Sequence, residues 1–297
     1  MLTKAAFVAK YWVYPWRNWI HLFQMVYSIL GVCFLTLFPL YCTVFDQKES
    51  CFMSPAWFWS VIILGVVCFI VDGIWIHGYL LWSITIENKT FDGTKIVVEF
   101  GDIFKKDGLA VIAVNEFFDN AVSSRPKAQV AEKTLHGAMI KNFWENNPED
   151  WYSQITNSIN DKPIATVDRK QPCQCNQYSI GSTGIAITGK KKFLCVALSR
   201  TNISTLEAKA SFDDLMIALK KSLVRARESC SNEPLNFPLM GSSLSRTGVS
   251  KYMLLNLLLM NIFEESKNGL ITSTIRIVLP YSDFSNFNLM TIKKEWS

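Results

Sequence analysis

Two short stretches carry the residues best suited to chemistry. In "NFPLMGSSLSRTGVSKYMLL", Asn236 to Leu255, a strand-like run ends at Pro238, a loop of small residues follows, and an apolar helix is expected from about Ser250. Gly241, Ser242, Ser243 and Ser245 let backbone N–H groups close on an anion, and the adjoining helix N-terminus favours negative charge. Arg246, just past Leu244 and Ser245, would add a charge-assisted contact. Taken alone, the loop reads equally as a plain connection. The second stretch is "KIVVEFGDIFKKDGLAVIAVNEFFDNAV", Lys95 to Val122. It sets two β-branched runs around Gly101-Asp102-Ile103 and ends in a mixed segment that carries Asn115 and Asp119. A nucleotide-binding α/β domain can begin this way.

Other motifs are weaker. "GIAITGKK", Gly184 to Lys191, approaches a phosphate-binding P-loop, but Lys191 stands where a magnesium-binding hydroxyl is needed. Its flanks are strand-like on both sides, so a hairpin turn is expected. Cys173 and Cys175 form a C-x-C with no second pair at zinc spacing, and the eight cysteines build no disulfide framework. Only Cys42 and Cys51, flanking a short loop, are candidates for a bridge. His136 is the one histidine after Ile86 and is expected on a helix surface. No nucleophile and base set accompanies it, so neither catalytic residues nor a metal or cofactor is expected.

The elements that must position these groups follow from periodicity. "TKIVVEF", "LAVIAV", "SIGSTGIAIT", "KKFLCVALS", "LNFPL" and "STIRIVLP" read as strands, several of them buried on both faces. "ASFDDLMIALKKSLVRARES" reads as a helix with Ser211 and Asp214 at capping-box spacing, and "SKYMLLNLLLMNIFEES" as an apolar helix. Between Ser123 and Pro172 a helix from Ala128 to about Trp144 is expected, then a loop. Alternating strands and helices argue for a layered α/β domain. The net charge of +5 is spread without a basic stripe, so no nucleic-acid partner is expected.

The first third has another composition. Trp19 to Phe45 contains no Asp, Glu, Lys or Arg, and Pro55 to Trp82 contains one acid, Asp72. About 20 apolar residues cross a bilayer, so two transmembrane helices are expected between residues 19 and 84. Lys4, Lys10 and Arg17 before them and Lys89 and Lys95 after them place both termini in the cytoplasm of a multi-pass inner-membrane protein. Residues 1–18 would then be a cytoplasmic segment and 85–297 a cytoplasmic domain. Asp72 either faces a polar seam formed on oligomerisation, with His77 further along, or is structural.

The stretch "VVEFGDIFKKDGLAVIAVNEFFD" resembles the start of macro domains, "FPLMGSSLSRTG" is similar to their phosphate loop, and "IGSTGIAIT" fits between. The resemblance spans about Lys95 to Pro280 and implies a three-layer α/β/α fold with a mixed sheet that binds ADP-ribose derivatives. It implies that Asp102 accepts from the adenine amino group with Ile103 beside the ring. It further implies that Gly241, Ser242, Ser243, Leu244, Ser245 and Arg246 hold the diphosphate and distal ribose, near Asn115 and Asp119. Hydrolytic macro domains carry Asn-Ala-Ala-Asn where this chain has Asn115-Glu116-Phe117-Phe118, so binding rather than turnover is expected. With two membrane spans, the chain resembles the membrane-bound effector of Thoeris antiviral systems. That implies a TIR-domain partner making a nucleotide signal such as histidine-ADP-ribose, with oligomerisation and bilayer injury as the output. A membrane-anchored ADP-ribosyl hydrolase and an ADP-ribose-dependent docking protein are the alternatives.

Overall fold

Two apolar runs open the sequence, and among the described residues each contributes a helix shorter than expected. The computed structural model describes residues 16–32, 55–76, 78, 81–87, 93–124, 129–169, 173–241 and 248–296. Helices α1 (Trp16–Val32) and α2 (Pro55–Val71) are each 17 residues long. At 1.5 Å per residue that is about 26 Å, against a hydrocarbon core of about 30 Å. The second run does not continue as α-helix: Asp72–Ile76 is a π-helical turn, and Ser83–Ile86 is already a strand. Among the described residues, no helix is long and apolar enough to cross a membrane. The expected transmembrane helices, and the multi-pass inner-membrane location built on them, are corrected accordingly. Asp72, expected within the second span, instead opens the π-helical turn and is buried. Cys33, Cys42, Cys51 and His77 lie outside the described residues.

The chain divides into two units. One comprises Met1–Ile84 together with Tyr281–Trp296, the other Thr85–Pro280. In the first, α1 packs on α2 closely enough that a Cβ on Gly65 would lie 2.7 Å from Cγ2 of Val26, so only glycine fits there.

The second unit is built on one mixed sheet. Its strands are β1 (Ser83–Ile86, of which Thr85 and Ile86 fall in this unit), β2 (Lys95–Phe100), β3 (Leu109–Asn115), β8 (Thr183–Thr188), β9 (Lys191–Thr201), β10 (Ala208–Lys209), β11 (Leu235–Pro238) and β12 (Thr274–Leu279). Short strands β4 (Val122–Ser123), β5 (Val130–Ala131), β6 (Ala165–Thr166) and β7 (Asn176–Gln177) form two separate pairs. The sheet runs β1-β2-β12-β11-β3-β9-β10, with β8 also on β9. From β2 to β9 all neighbours are parallel, whereas β8 and β10 are antiparallel to β9. Parallel strands need cover on both faces, which is why β3 up to Val114 and the centre of β9, Phe193 to Leu198, are apolar.

Helices α3 (Leu135–Phe143), α4 (Pro148–Ser158), α5 (Phe212–Ser229) and α6 (Lys251–Ser266) follow, with α7 (Leu289–Trp296) in the first unit. Ser211 and Asp214 form the full capping box of α5, and Ser250 caps α6. The loop expected after Trp144 is instead largely α4, capped by Asn147 with Pro148 in its first turn. That helix places Trp151 and Ile155 in a core with Met139, Ile112 and Phe193.

His136 is a further correction. It is buried beside the Trp151 ring, 5.3 Å between centroids, not on a helix surface. Desolvation lowers its pKa from 6.5 to about 3. The unfolded chain therefore binds the proton that the folded chain refuses, and stability falls as pH drops from about 6.5 towards 3. The slope is about 1.4 kcal/mol per pH unit. His136→Leu should remove that slope, as measured by urea unfolding at pH 7 and pH 5; an unchanged slope would assign acid lability to other groups.

Candidate functional site

Parallel strands open a crevice at their carboxyl ends wherever the strand order reverses direction. Here the chain leaves β3 towards β9 and leaves β11 towards β12, so the reversal falls between β3 and β11. Asn115 ends β3, and Gly241 stands three residues after β11. Two strands further along, Gly101 and Asp102 follow β2. Strands lie about 4.8 Å apart, so the three intervals from β2 to β3 span roughly 14 Å, a length suited to an extended nucleotide.

At the β2 end, Asp102 caps the 3-10 turn Ile103–Lys105. Its Oδ1 accepts from the Phe104 amide at 3.0 Å. Oδ2 accepts no hydrogen bond among the described residues, and the side chain is half-buried. Ile103 is buried in the core with Phe104 packed on it. At the β11 end, Gly241 has φ +82, a left-handed conformation that a side chain would strain, and it opens the loop. Ser242, Ser243, Leu244, Ser245 and Arg246 lie outside the described residues.

At the β3 end the backbone is shaped by a bulge. Val114 pairs with Ala197 but Asn115 with Ser199, so β9 carries one extra residue there. The chain then turns sharply, with the Phe118 amide donating to the Asn115 carbonyl and Phe118 at φ +51. Asn115 and Asp119 bond to each other in both directions. Nδ2 of Asn115 donates to Oδ2 of Asp119 at 2.8 Å, and the Asp119 amide donates to Oδ1 of Asn115 at 3.0 Å.

Asp119 is fully buried, and its charge is met by Arg169. The guanidinium donates from Nη1 to Oδ1 and from Nη2 to Oδ2, both at 2.9 Å. The Gln174 amide donates to Oδ1 at 3.0 Å, so four donors fill the carboxylate. Arg169 also lies over the Phe117 ring, 3.9 Å from its centroid, and donates to the Gln174 carbonyl. The hairpin of β6 and β7 brings Arg169 and Gln174 here, and the Tyr178 amide ties it to the Glu116 carbonyl. Desolvation pushes the nearby Cys173 thiol up, with Arg169 opposing. Burial, with Tyr178, Asp119, Glu149 and Cys175 beside it, pushes Tyr152 up to about 12, so its hydroxyl stays protonated.

Of the expected residues, the fold thus brings Asn115 and Asp119 together and sets Gly241 at the same reversal, with Asp102 two strands away from Gly241's strand. Arg169 and Gln174 had no signal in the sequence, because partners about 50 residues apart leave no periodicity.

A mixed sheet with a parallel centre, a Gly-Asp-Ile turn at one side of the crevice and an asparagine turn at the other define a macro-type α/β domain. Residues 96–280, more than half the chain, match the family described as Thoeris protein ThsA, macro domain. The chain belongs to that family, which ties it to anti-phage defence and to ADP-ribose derivatives as ligands. Solved structures similar to it include the Oceanobacillus iheyensis macrodomain with ADP, at 13% identity and TM-score 0.40, covering 72% of this chain and 97% of that one. A point variant of the same macrodomain with ADPR stands at 14% and TM-score 0.41, covering 71% and 99%. The assignment itself rests on the family match and the strand order. No curated protein matches the chain.

Removing one partner of a buried ion pair strands the other charge, at a cost of about 3–5 kcal/mol. Arg169→Met should lower unfolding free energy by that amount, and adding Asp119→Leu should restore most of it. A loss under about 1 kcal/mol in the single variant would show that the pair anchors nothing.

Proposed function

We propose that this chain is an anti-phage effector whose macro domain is a receptor for an ADP-ribose-derived signal, of the histidine-ADP-ribose kind, made by a TIR-domain partner. In this reading Asp102 accepts from the adenine amino group through its open Oδ2. The loop from Gly241 to Arg246 holds the diphosphate, and the Asn115 turn meets the distal ribose. The observation that carries the reading is the crevice at the strand-order reversal, with Asp102 at one side and Asn115 and Gly241 at the reversal itself. Asp119 is saturated by four donors, which favours recognition over proton transfer at this corner. Ligand binding then drives self-assembly of the chain, the step by which a receptor without turnover produces an output.

Calorimetric titration of the full chain with ADP-ribose tests the pocket. Asp102→Ala should weaken binding by about 1.5–3 kcal/mol, the worth of a hydrogen bond to a charged group, while the melting temperature holds. Equal affinity in the variant would remove Asp102 from the site. Ser243→Glu should block binding, because its carboxylate would occupy and repel the diphosphate position. Normal binding by that variant would make the loop a plain connection.

A further inference from the structure

The C-x-C of Cys173 and Cys175 has no part in the nucleotide reading, yet it stands against the β3 side of the crevice. Both thiols are free, Cys173 buried and Cys175 half-buried. The Cys175 side chain folds back on its neighbour, its Sγ donating to the Cys173 carbonyl at 3.9 Å. Nε2 of Gln129 donates to the Cys173 sulfur at 2.9 Å. Desolvation holds the Cys173 thiol up, with Arg169 opposing, and a donor on the sulfur also favours the thiolate.

Gln174, the residue between the two cysteines, clamps the β6–β7 hairpin to the turn leaving β3. Its amide donates to Oδ1 of Asp119 at 3.0 Å, and its Nε2 donates to Oδ1 of Asn120 at 3.1 Å. Its carbonyl accepts from Arg169 at 2.7 Å. Just beyond, the Cys175 carbonyl accepts from the Val167 amide at 2.8 Å, which closes the hairpin. Three bonds to one wall of the crevice therefore depend on the backbone between Cys173 and Cys175.

A disulfide would reshape that backbone. It draws its two Cβ atoms to about 3.5–4.5 Å. Residues two apart on an extended chain share a face but stand about 6.6 Å apart. The chain runs from Cys175 straight into β7, so an S–S bond across Gln174 buckles it at that residue.

We propose that Cys173 and Cys175 are a redox-sensitive pair, oxidised by a low-molecular-weight disulfide to an intramolecular disulfide that pulls Gln174 off Asp119 and Asn120. The half-buried Cys175 thiolate attacks one sulfur of the oxidant, whose S–S bond breaks with loss of one thiolate. The Cys173 thiolate then attacks the Cys175 sulfur and expels the second. The protein thiols give up two protons and two electrons, and the oxidant leaves as two thiols. Loosening of the β3 side lowers affinity for the nucleotide, and that consequence alone rests on the ADP-ribose reading above.

The test equilibrates the full chain in mixtures of reduced and oxidised glutathione. Peptide mapping of the oxidised protein should find Cys173 joined to Cys175, lighter by two hydrogens. The melting temperature should fall by about 3 °C or more and ADP-ribose affinity by about tenfold, both recovered with dithiothreitol. Cys175→Ser cannot close the ring, so oxidised glutathione should leave its melting and affinity unmoved. Cys173→Ser gives the same control if Cys175→Ser melts early. Cysteines that stay reduced, or carry only separate glutathione caps, overturn the proposal. So does a mapped disulfide that leaves melting or a measurable affinity unchanged, and so does a shift that persists in Cys175→Ser. A mapped disulfide with its thermal shift, in a chain that binds ADP-ribose in neither state, upholds the switch and overturns the receptor reading.

Discussion

A carboxylate removed from water must be given its charge and its hydrogen bonds back by the protein, and Asp119 imposes that requirement on everything around it. Four donors from three residues in two parts of the chain converge on it: Asn115 from β3, Arg169 and Gln174 from the β6–β7 hairpin, the last through its backbone. The Asp119 amide returns a bond to Asn115, which closes a ring across the turn. Such a network permits little local rearrangement, since loosening any one donor exposes the rest to an unpaired buried charge. The left-handed Phe118 is tolerable in that setting because the surrounding bonds over-determine it.

The sheet supplies the other half of the arrangement. Order reversal between β3 and β11 sends their connections in opposite directions, and Asn115 and Gly241 stand at the carboxyl ends of those two neighbouring strands. The β9 bulge adds to it by changing the register at Asn115, so the residue at the strand end is re-aimed relative to the apolar positions before it. Topology makes the crevice, and polar bonding fixes its β3 wall.

Strands and helices with strong local patterns were readable from residue order alone. "KIVVEF" forms β2, "LAVIAV" lies within β3, and the Ser211–Asp214 spacing forms a capping box. These features depend on neighbours two to four positions apart. What escaped reading depends on distance or on competition. Pro148-Glu149-Asp150 looked like loop because its polarity hides a helix that buries only Trp151 and Ile155. His136 looked like a surface residue because burial of a lone imidazole is settled by packing with Trp151, not by its own helix. Arg169 was invisible for the same reason. The apolar first third misled differently: hydropathy reports a lack of charge but not where a helix stops, and the π-helical turn at Asp72 ends one well short of Trp82.

The segment Tyr281–Trp296 groups with the N-terminal helices, while residues 85–280 form the other unit between them. During synthesis α1 and α2 emerge before residues 85–280 yet lack a part of their own unit until Tyr281–Trp296 follows. At about 5–20 residues per second, the intervening stretch takes on the order of 10–40 s to appear. The unit of residues 85–280, whose parallel strands β2 to β12 are all complete by Leu279, can therefore assemble while α1 and α2 still await Tyr281–Trp296.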